Sequence, residues 1–157
     1  MSYQGPLPAA SDVKVDITIN EVLCFPLKDR PIHRTYDRFD DLPDGPAIKV
    51  YAIEEIVIEK LVALSDRARN EPRDLYDLWY SLDATDSRIA DLRRELDIKL
   101  AHRRRAAAGI EQAIATKEER LRRLWAARLA HQMSHLPPFD DVFREVLRAV
   151  RIPRVSG

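Results

Sequence analysis

From Ile56 to Val150 apolar residues return every three or four positions, a period that only packed helices bury well. The stripes run Ile56, Leu61, Leu64 (widened by Val57 and Ile58); Leu75, Leu78, Trp79, Leu82; Ile89, Leu92, Leu96, Leu100; Leu121, Leu124, Trp125, Leu129, Met133; and Val142, Phe143, Val146, Leu147, Val150. They predict about five helices. The first spans Glu54 to about Arg69, and Pro72 suits the opening turn of the second. The third starts near Ser87 and Gly109 is a candidate break. Thr116 with Glu119 forms a capping-box pattern for the fourth, Pro137 and Pro138 end it, and Asp140 or Asp141 caps the last.

The segment before Glu54 reads differently. Val13–Ile19 (VKVDITI) alternates branched apolar residues with Lys14, Asp16 and Thr18, the period of a half-buried strand with Val13, Val15, Ile17 and Ile19 toward a core. Val22–Leu27 is interrupted by Pro26 and is an edge strand or loop entry at best. Residues 28–47 are a Pro-, Asp- and Arg-rich connection with at most one short strand, and Ile48–Ile53 is a third candidate strand. The expected fold is therefore α+β: two or three strands followed by a helical bundle. Such a small sheet is near the minimum for independent stability, so it reads as a remnant of, or a partner for, something larger.

Composition narrows the classes. Four glycines in 157 residues argue against a loop-rich all-β fold, and the single Cys24 excludes an internal disulfide. No apolar run approaches the roughly 18 residues of a membrane span, and MSYQGPLPAAS lacks a secretory pattern; a cytoplasmic protein without membrane association is expected. The zero net charge conceals a gradient. Residues 1–98 carry 13 basic and 20 acidic side chains (−7), residues 99–131 carry 9 and 3 (+6), and the rest 4 and 3 (+1). His102–Arg105 and Arg120–Arg123 are the densest basic runs. Arg103, Arg104, Arg105, Arg122 and Arg123 are candidates for phosphate contacts, against the competing reading of solvated helix faces. His131 and His135 are four apart, but no third metal ligand is evident.

The most informative stretch is Ile48–Leu82. Glu54, Glu55 and Glu59 fall in the first turns of a helix, where carboxylates suit its positive end. Lys60 follows on a mostly apolar helix. Asp74 opens the next helix, three residues before Asp77, with Arg73 four before Asp77, so these charges neighbour one another. A lysine facing carboxylates across a two-helix corner suits phosphoryl transfer, the cation offsetting phosphate charge. The competing reading is a surface ion pair and a snorkelling lysine. The succession Glu54-Glu55, Glu59-Lys60, Ala63-Leu64, Arg67 and Arg73-Asp74-Leu75-Tyr76-Asp77-Leu78 resembles the AbiEii/AbiGii nucleotidyltransferase toxins, and LWAARLAHQMSHLPPFDDVFREVL resembles their usual ending.

The resemblance implies a toxin–antitoxin (abortive infection, phage defence) protein that transfers a nucleotide from a nucleoside triphosphate, with Mg²⁺, to an RNA acceptor such as tRNA. Lys60 and Asp74 would be catalytic with Asp77 beside them, Arg73 would help bind the nucleotide, and Asp16 would assist the metal. It also implies a division into a flexible leader (1–12), partial nucleotidyltransferase palm strands (13–53) and a helical domain (54–157). One departure matters. The family's Gly-Ser turn and Asp-x-Asp pair have no counterpart here: Gly5 is the only glycine before Gly45, and Asp12 and Asp16 are not an Asp-x-Asp. The expectation is a truncated or split enzyme, inactive alone, whose amino-terminal half would be a separate chain and whose other partner is a cognate antitoxin. The rival is a non-catalytic helical module binding RNA or that antitoxin.

Overall fold

The computed structural model describes residues 2–3, 11–12, 14–15, 17–32, 45, 47–85, 88–104 and 109–151, the side chains of residues 2, 3, 11 and 12 excepted. It is an α+β chain whose core is helical. Two antiparallel ribbons precede the helices: β1 (Ser2–Tyr3) pairs with β2 (Ser11–Asp12), and β3 (Lys28–Pro31) pairs with β4 (Ala47–Val50), Lys28 opposite Val50 and Pro31 opposite Ala47. Among the described residues six α-helices follow: α1 (Ile53–Ser65), α2 (Pro72–Asp83), α3 (Arg93–His102), α4 (Ile110–Ala115), α5 (Glu118–Leu129) and α6 (Phe139–Val150).

The strand expected over Val13–Ile19 does not form at its described positions. Residues 14, 15, 17 and 18 are irregular, and Ile17 and Ile19 are 80% and 87% exposed rather than core-facing. The alternation is there, but the two ribbons pair only within themselves, so no ladder is offered to it. Asp16 and Val13 lie outside the described residues. Val22–Leu27 is loop, as its proline allows, and Cys24 and Phe25 lean on the helical core.

Helix α1 starts at Ala52 without a side-chain cap; Glu54 and Glu55 in its first turn complement the helix dipole instead. It buries Val57, Ile58, Leu61, Val62 and Leu64 and packs against α2, α3 and α4. Full burial of each such side chain is worth about 1.5–3 kcal/mol. Helix α2 opens on Pro72, whose missing N–H is one the first turn leaves unpaired anyway. It buries Leu75 and Leu78 and packs on α5 and α6, where Tyr76, Trp125, Phe139 and Phe143 follow one another at ring spacings of 6.3, 5.5 and 5.2 Å. The expected third helix begins as a 3₁₀ turn at Ile89–Leu92 and runs on as α3.

Helix α4 was not anticipated. It starts at Gly109, whose φ of +88° is open to glycine and strained for other residues. It displaces the expected capping box: Thr116 closes α4 by donating to the Ala113 carbonyl at 2.9 Å, and α5 is preceded by Lys117 with no side-chain cap. The Lys117 ammonium turns inward and donates to the carbonyls of Leu64, Asp66 and Arg69 at 2.5, 2.5 and 2.8 Å. It thereby satisfies the Leu64 carbonyl, which the last turn of α1 leaves without a helical partner, and fixes the loop between α1 and α2 through Asp66 and Arg69. Neither Asp140 nor Asp141 is the cap of α6; Pro138 holds that position and both acids sit in the first turn. Among the described residues no helix is long and apolar enough to cross a membrane.

Candidate active site

The corner between α1 and α2 gathers the charges that the sequence places there. Lys60, on α1, donates to Asp74 Oδ1 at 3.0 Å and to Asp77 Oδ2 at 2.6 Å, both on α2. Arg69, in the intervening loop, closes on Asp74 from the other side, with Nε 2.5 Å from Oδ2 and Nη2 3.1 Å from Oδ1. The Asp74 carboxylate is thus 3% exposed and held by two cations. Arg73 stands further out, 3.8 Å from Asp77 Oδ2 and mostly in solvent. Of the expected site residues, Lys60, Asp74, Asp77 and Arg73 share this corner. Arg69 was missed, although it belongs to the same loop as the Arg67 of the motif.

The protonation states follow from these contacts. Burial pulls the Lys60 amine down, but its bonds to Asp77 and Asp74 more than compensate, so its pKa is raised and it stays a cation. Burial pushes the Asp74 carboxyl up, but Arg69 and Lys60 hold it below the usual carboxylate value. Lys60 therefore cannot serve as a base near neutrality; it can place positive charge against a phosphate. Asp74 has both oxygens occupied and orients Lys60. Asp77, more open, retains accepting capacity toward an incoming group.

A second lysine network lies on the other side of α1. Lys99, on α3, is 2% exposed and forms ion pairs at 2.5 Å with both Glu55 and Glu59, with Glu21 at 3.8 Å. Glu55 Oε2 accepts the backbone N–H groups of Cys24 and Phe25, both at 2.9 Å, fastening residues 20–25 to the helices. Burial and then the Glu55 charge push the Cys24 thiol above its ordinary value, so it is not an activated nucleophile. None of this network was expected. The signal was present in the sequence: Glu55, Lys99 and Lys117 all fall on apolar stripes (beside Ile58 and Val62, Leu92 and Leu96, Ile114 and Leu121), where a charge must find a buried partner.

The expected phosphate-binding arginines do not assemble into one patch. Arg103 is paired with Glu59 at 3.0 Å, and Arg122 with Glu118 at 2.8 Å and Asp140 at 2.5 Å while lying 4.7 Å over the Phe139 ring. Helix α3 packs on α1, whereas α5 packs on α2 and α6, so the two basic runs have different neighbours. Arg104, at φ +55°, follows the C-cap of α3; Arg123 is exposed; Arg105 lies outside the described residues. Among the described residues no group of three or more His, Cys, Asp or Glu side chains could hold a metal ion, and Asp16 lies outside them. The oxygens of Asp74 that a cation would need already face Lys60 and Arg69.

A family model described as "Nucleotidyl transferase AbiEii toxin, Type IV TA system" matches residues 2–148 of the chain. No curated protein and no solved structure matches it.

Proposed function

The chain belongs to the AbiEii nucleotidyl transferase toxin family of type IV toxin–antitoxin systems, and on that premise we propose that its α1–α2 corner is the phosphate-neutralising half of a nucleotide-transfer site. The observation that carries this reading is the convergence of Lys60 on Asp74 and Asp77. In it, Lys60 offsets charge on the transferred phosphate, Asp74 with Arg69 fixes the ammonium in place, Asp77 positions the acceptor, and Arg73 approaches the nucleotide from solvent. A nucleoside triphosphate and a divalent cation are what such an enzyme works with. The described carboxylates do not suit the cation, so that part belongs to a Gly-Ser turn and Asp-x-Asp pair supplied by another polypeptide segment, with Asp16 alongside. Residues 13–53 would then complete a palm sheet with that segment. The exposed Val15, Ile17, Ile19 and Ile48 support this, since apolar residues on unpaired or edge backbone call for a covering sheet. The acceptor would be an RNA, and the system a cytoplasmic one acting in phage defence, with an antitoxin as counterpart.

The rival reading, a helical module that binds RNA or the antitoxin without chemistry, is favoured by the saturation of Asp74 by internal cations. One experiment separates them. The chain is combined with a companion segment bearing the Gly-Ser and Asp-x-Asp elements, encoded in a neighbouring reading frame, and label transfer from each nucleoside triphosphate to total RNA is followed. The expected outcome is transfer that Lys60→Ala and Asp74→Ala lower by about 10²-fold or more while far-ultraviolet circular dichroism is unchanged. Transfer that persists within twofold in Lys60→Ala rules out the catalytic role.

A further inference from the structure

Arg103 and Arg122, one from each basic run, are held by carboxylates, but not every exposed arginine is. Arg67, in the α1–α2 loop, and Arg120, near the start of α5, are exposed and form no ion pair among the described residues. Both line one open cleft of about 910 Å³ between that loop and the α4–α5 turn, together with Asn70, Gln112 and Thr116. Arg120 precedes the tethered Arg122 by two residues, about 200° around the helix, which puts it on a different face from the Glu118–Asp140 pairs.

The chemistry of the walls limits the occupant. Small-molecule pockets of about 300–1,000 Å³ are lined mainly by apolar and aromatic side chains; this cleft is of that size but has no aromatic wall, and guanidiniums, amides and hydroxyls share its lining with Gly109, Ile110 and Ala113. Its charged residues are Arg67, Arg120 and Lys117 against Asp66, three positive and one negative, for a net +2. Lys117 contributes field rather than contacts, because its ammonium already donates to three carbonyls. Asn70 turns its amide nitrogen back to its own loop, to the carbonyls of Arg67 and Ala68 at 3.4 and 3.3 Å, which braces the segment that carries Arg67. The same loop supplies Arg69 to Asp74. Two residues of one short loop thus serve the active corner and the cleft, so the α1–α2 loop is common to both.

We propose that this cleft seats the phosphodiester backbone of the RNA acceptor, with Arg67 and Arg120 contacting phosphates from its two walls. The acceptor end then reaches the Lys60 corner past the α1–α2 loop. The inference rests on the nucleotide-transfer reading for the identity of the acceptor but is tested without catalysis. Fluorescence anisotropy of a short mixed-sequence single-stranded RNA is measured with the full chain across a salt series. Arg67→Gln with Arg120→Gln, both exposed and checked for folding by circular dichroism, should weaken binding about tenfold. The slope of log affinity against log salt should flatten by about 0.7 for each phosphate that is no longer neutralised. The charge-matched pair Arg94→Gln with Arg128→Gln should change affinity less than twofold.

Equal weakening by the two pairs, or no RNA binding by the wild-type chain, would overturn the proposal. Tripolyphosphate and ATP form the second arm: if they displace the RNA and bind more weakly to the Arg67/Arg120 variant, the cleft is a triphosphate seat and the RNA assignment fails. Lys60→Ala should bind RNA as the wild type does. If it also transfers nucleotide normally, the catalytic reading fails while the cleft result stands on its own.

Discussion

Two lysine-centred charge clusters lie on different sides of helix α1, and their surroundings differ in the property that separates chemistry from architecture. Glu59 and Lys60 are consecutive, so their side chains leave the helix about 100° apart: Glu59 meets Lys99 on α3, and Lys60 meets Asp74 and Asp77 on α2. The Lys99 side chain is 2% exposed and the Lys60 side chain 23%. The sealed cluster counts Glu21, Glu55 and Glu59 against Lys99 and Arg103, a net −1; the open one counts Lys60, Arg69 and Arg73 against Asp74 and Asp77, a net +1. A sealed cluster with surplus carboxylate has nothing to offer a phosphate and serves to fasten residues 20–25 to the helices. An open cluster with surplus cation is built to receive an anion.

Removing the sealed cation should have the largest effect. Lys99→Met leaves the buried Glu55 without its cation, while Glu59 keeps Arg103, and breaking a buried pair in this way costs about 3–5 kcal/mol. Urea unfolding followed by circular dichroism should show the midpoint fall sharply, and adding Glu55→Gln to the variant should recover part of the stability. A decrease below about 1 kcal/mol would mean that the two clusters are not energetically different. Lys60→Ala comes next and inverts the pattern. Asp77 is partly solvated and the buried Asp74 keeps Arg69, so stability should fall by no more than about 1 kcal/mol, whereas transfer by the completed enzyme should drop about 10²–10³-fold, as when one preorganised charge-stabilising donor is removed.

The legibility of the two clusters in the sequence was as unequal as their exposure. The open one could be read because its residues fall in a motif that resembles a known family, with Asp74 and Asp77 three apart behind the proline at position 72 that marks where α2 opens; spacing alone left a surface ion pair as the competing reading. The sealed one joins residues from position 21 to position 103, which spacing along the chain does not reveal; only charges at apolar stripe positions betray it. Lys117 escaped for the same reason, and the Thr116–Glu119 pattern, locally sound as a cap, yielded to three carbonyls of the α1 end and the loop that follows it. The alternation of Val13–Ile19 misled differently. Period two states what a strand would bury but not whether a neighbouring strand is present, and Ile17 and Ile19 stand in solvent.

Alkaline titration sharpens the comparison with a smaller effect. Burial pulls the Lys99 amine down, yet its bonds to Glu55 and Glu59 leave its pKa raised in the folded chain. A raised folded value means the stabilisation is fully present below the unfolded lysine value of about 10.4 and is lost as pH rises through the higher folded value. Lys60 is raised too, through Asp77 and Asp74. The difference in urea midpoint between wild type and Lys99→Met should therefore shrink above that pH, and the smaller difference for Lys60→Ala should shrink there also. A gap that widens with pH would contradict the ion-pair account of either lysine.

The smallest effects belong to the outer arginines, which is why they make the cleanest control. Each cluster has one: Arg73 at 3.8 Å from Asp77 and Arg103 at 3.0 Å from Glu59, with side chains 64% and 49% exposed. Exposed pairs of this kind are worth about 0.2–1 kcal/mol, and salt screens them. Arg73→Gln and Arg103→Gln should therefore lower stability by similar small amounts, and both effects should fade at high ionic strength. They should diverge only in function. Arg73→Gln withdraws a cation from the corner that meets phosphate, so it should raise the KM for the nucleoside triphosphate severalfold with little change in kcat, whereas Arg103→Gln should move neither. If Arg103→Gln raised KM as much as Arg73→Gln, the division of α1 into a fastening side and a reacting side would not hold, because a charge on the fastening side would be reaching the nucleotide.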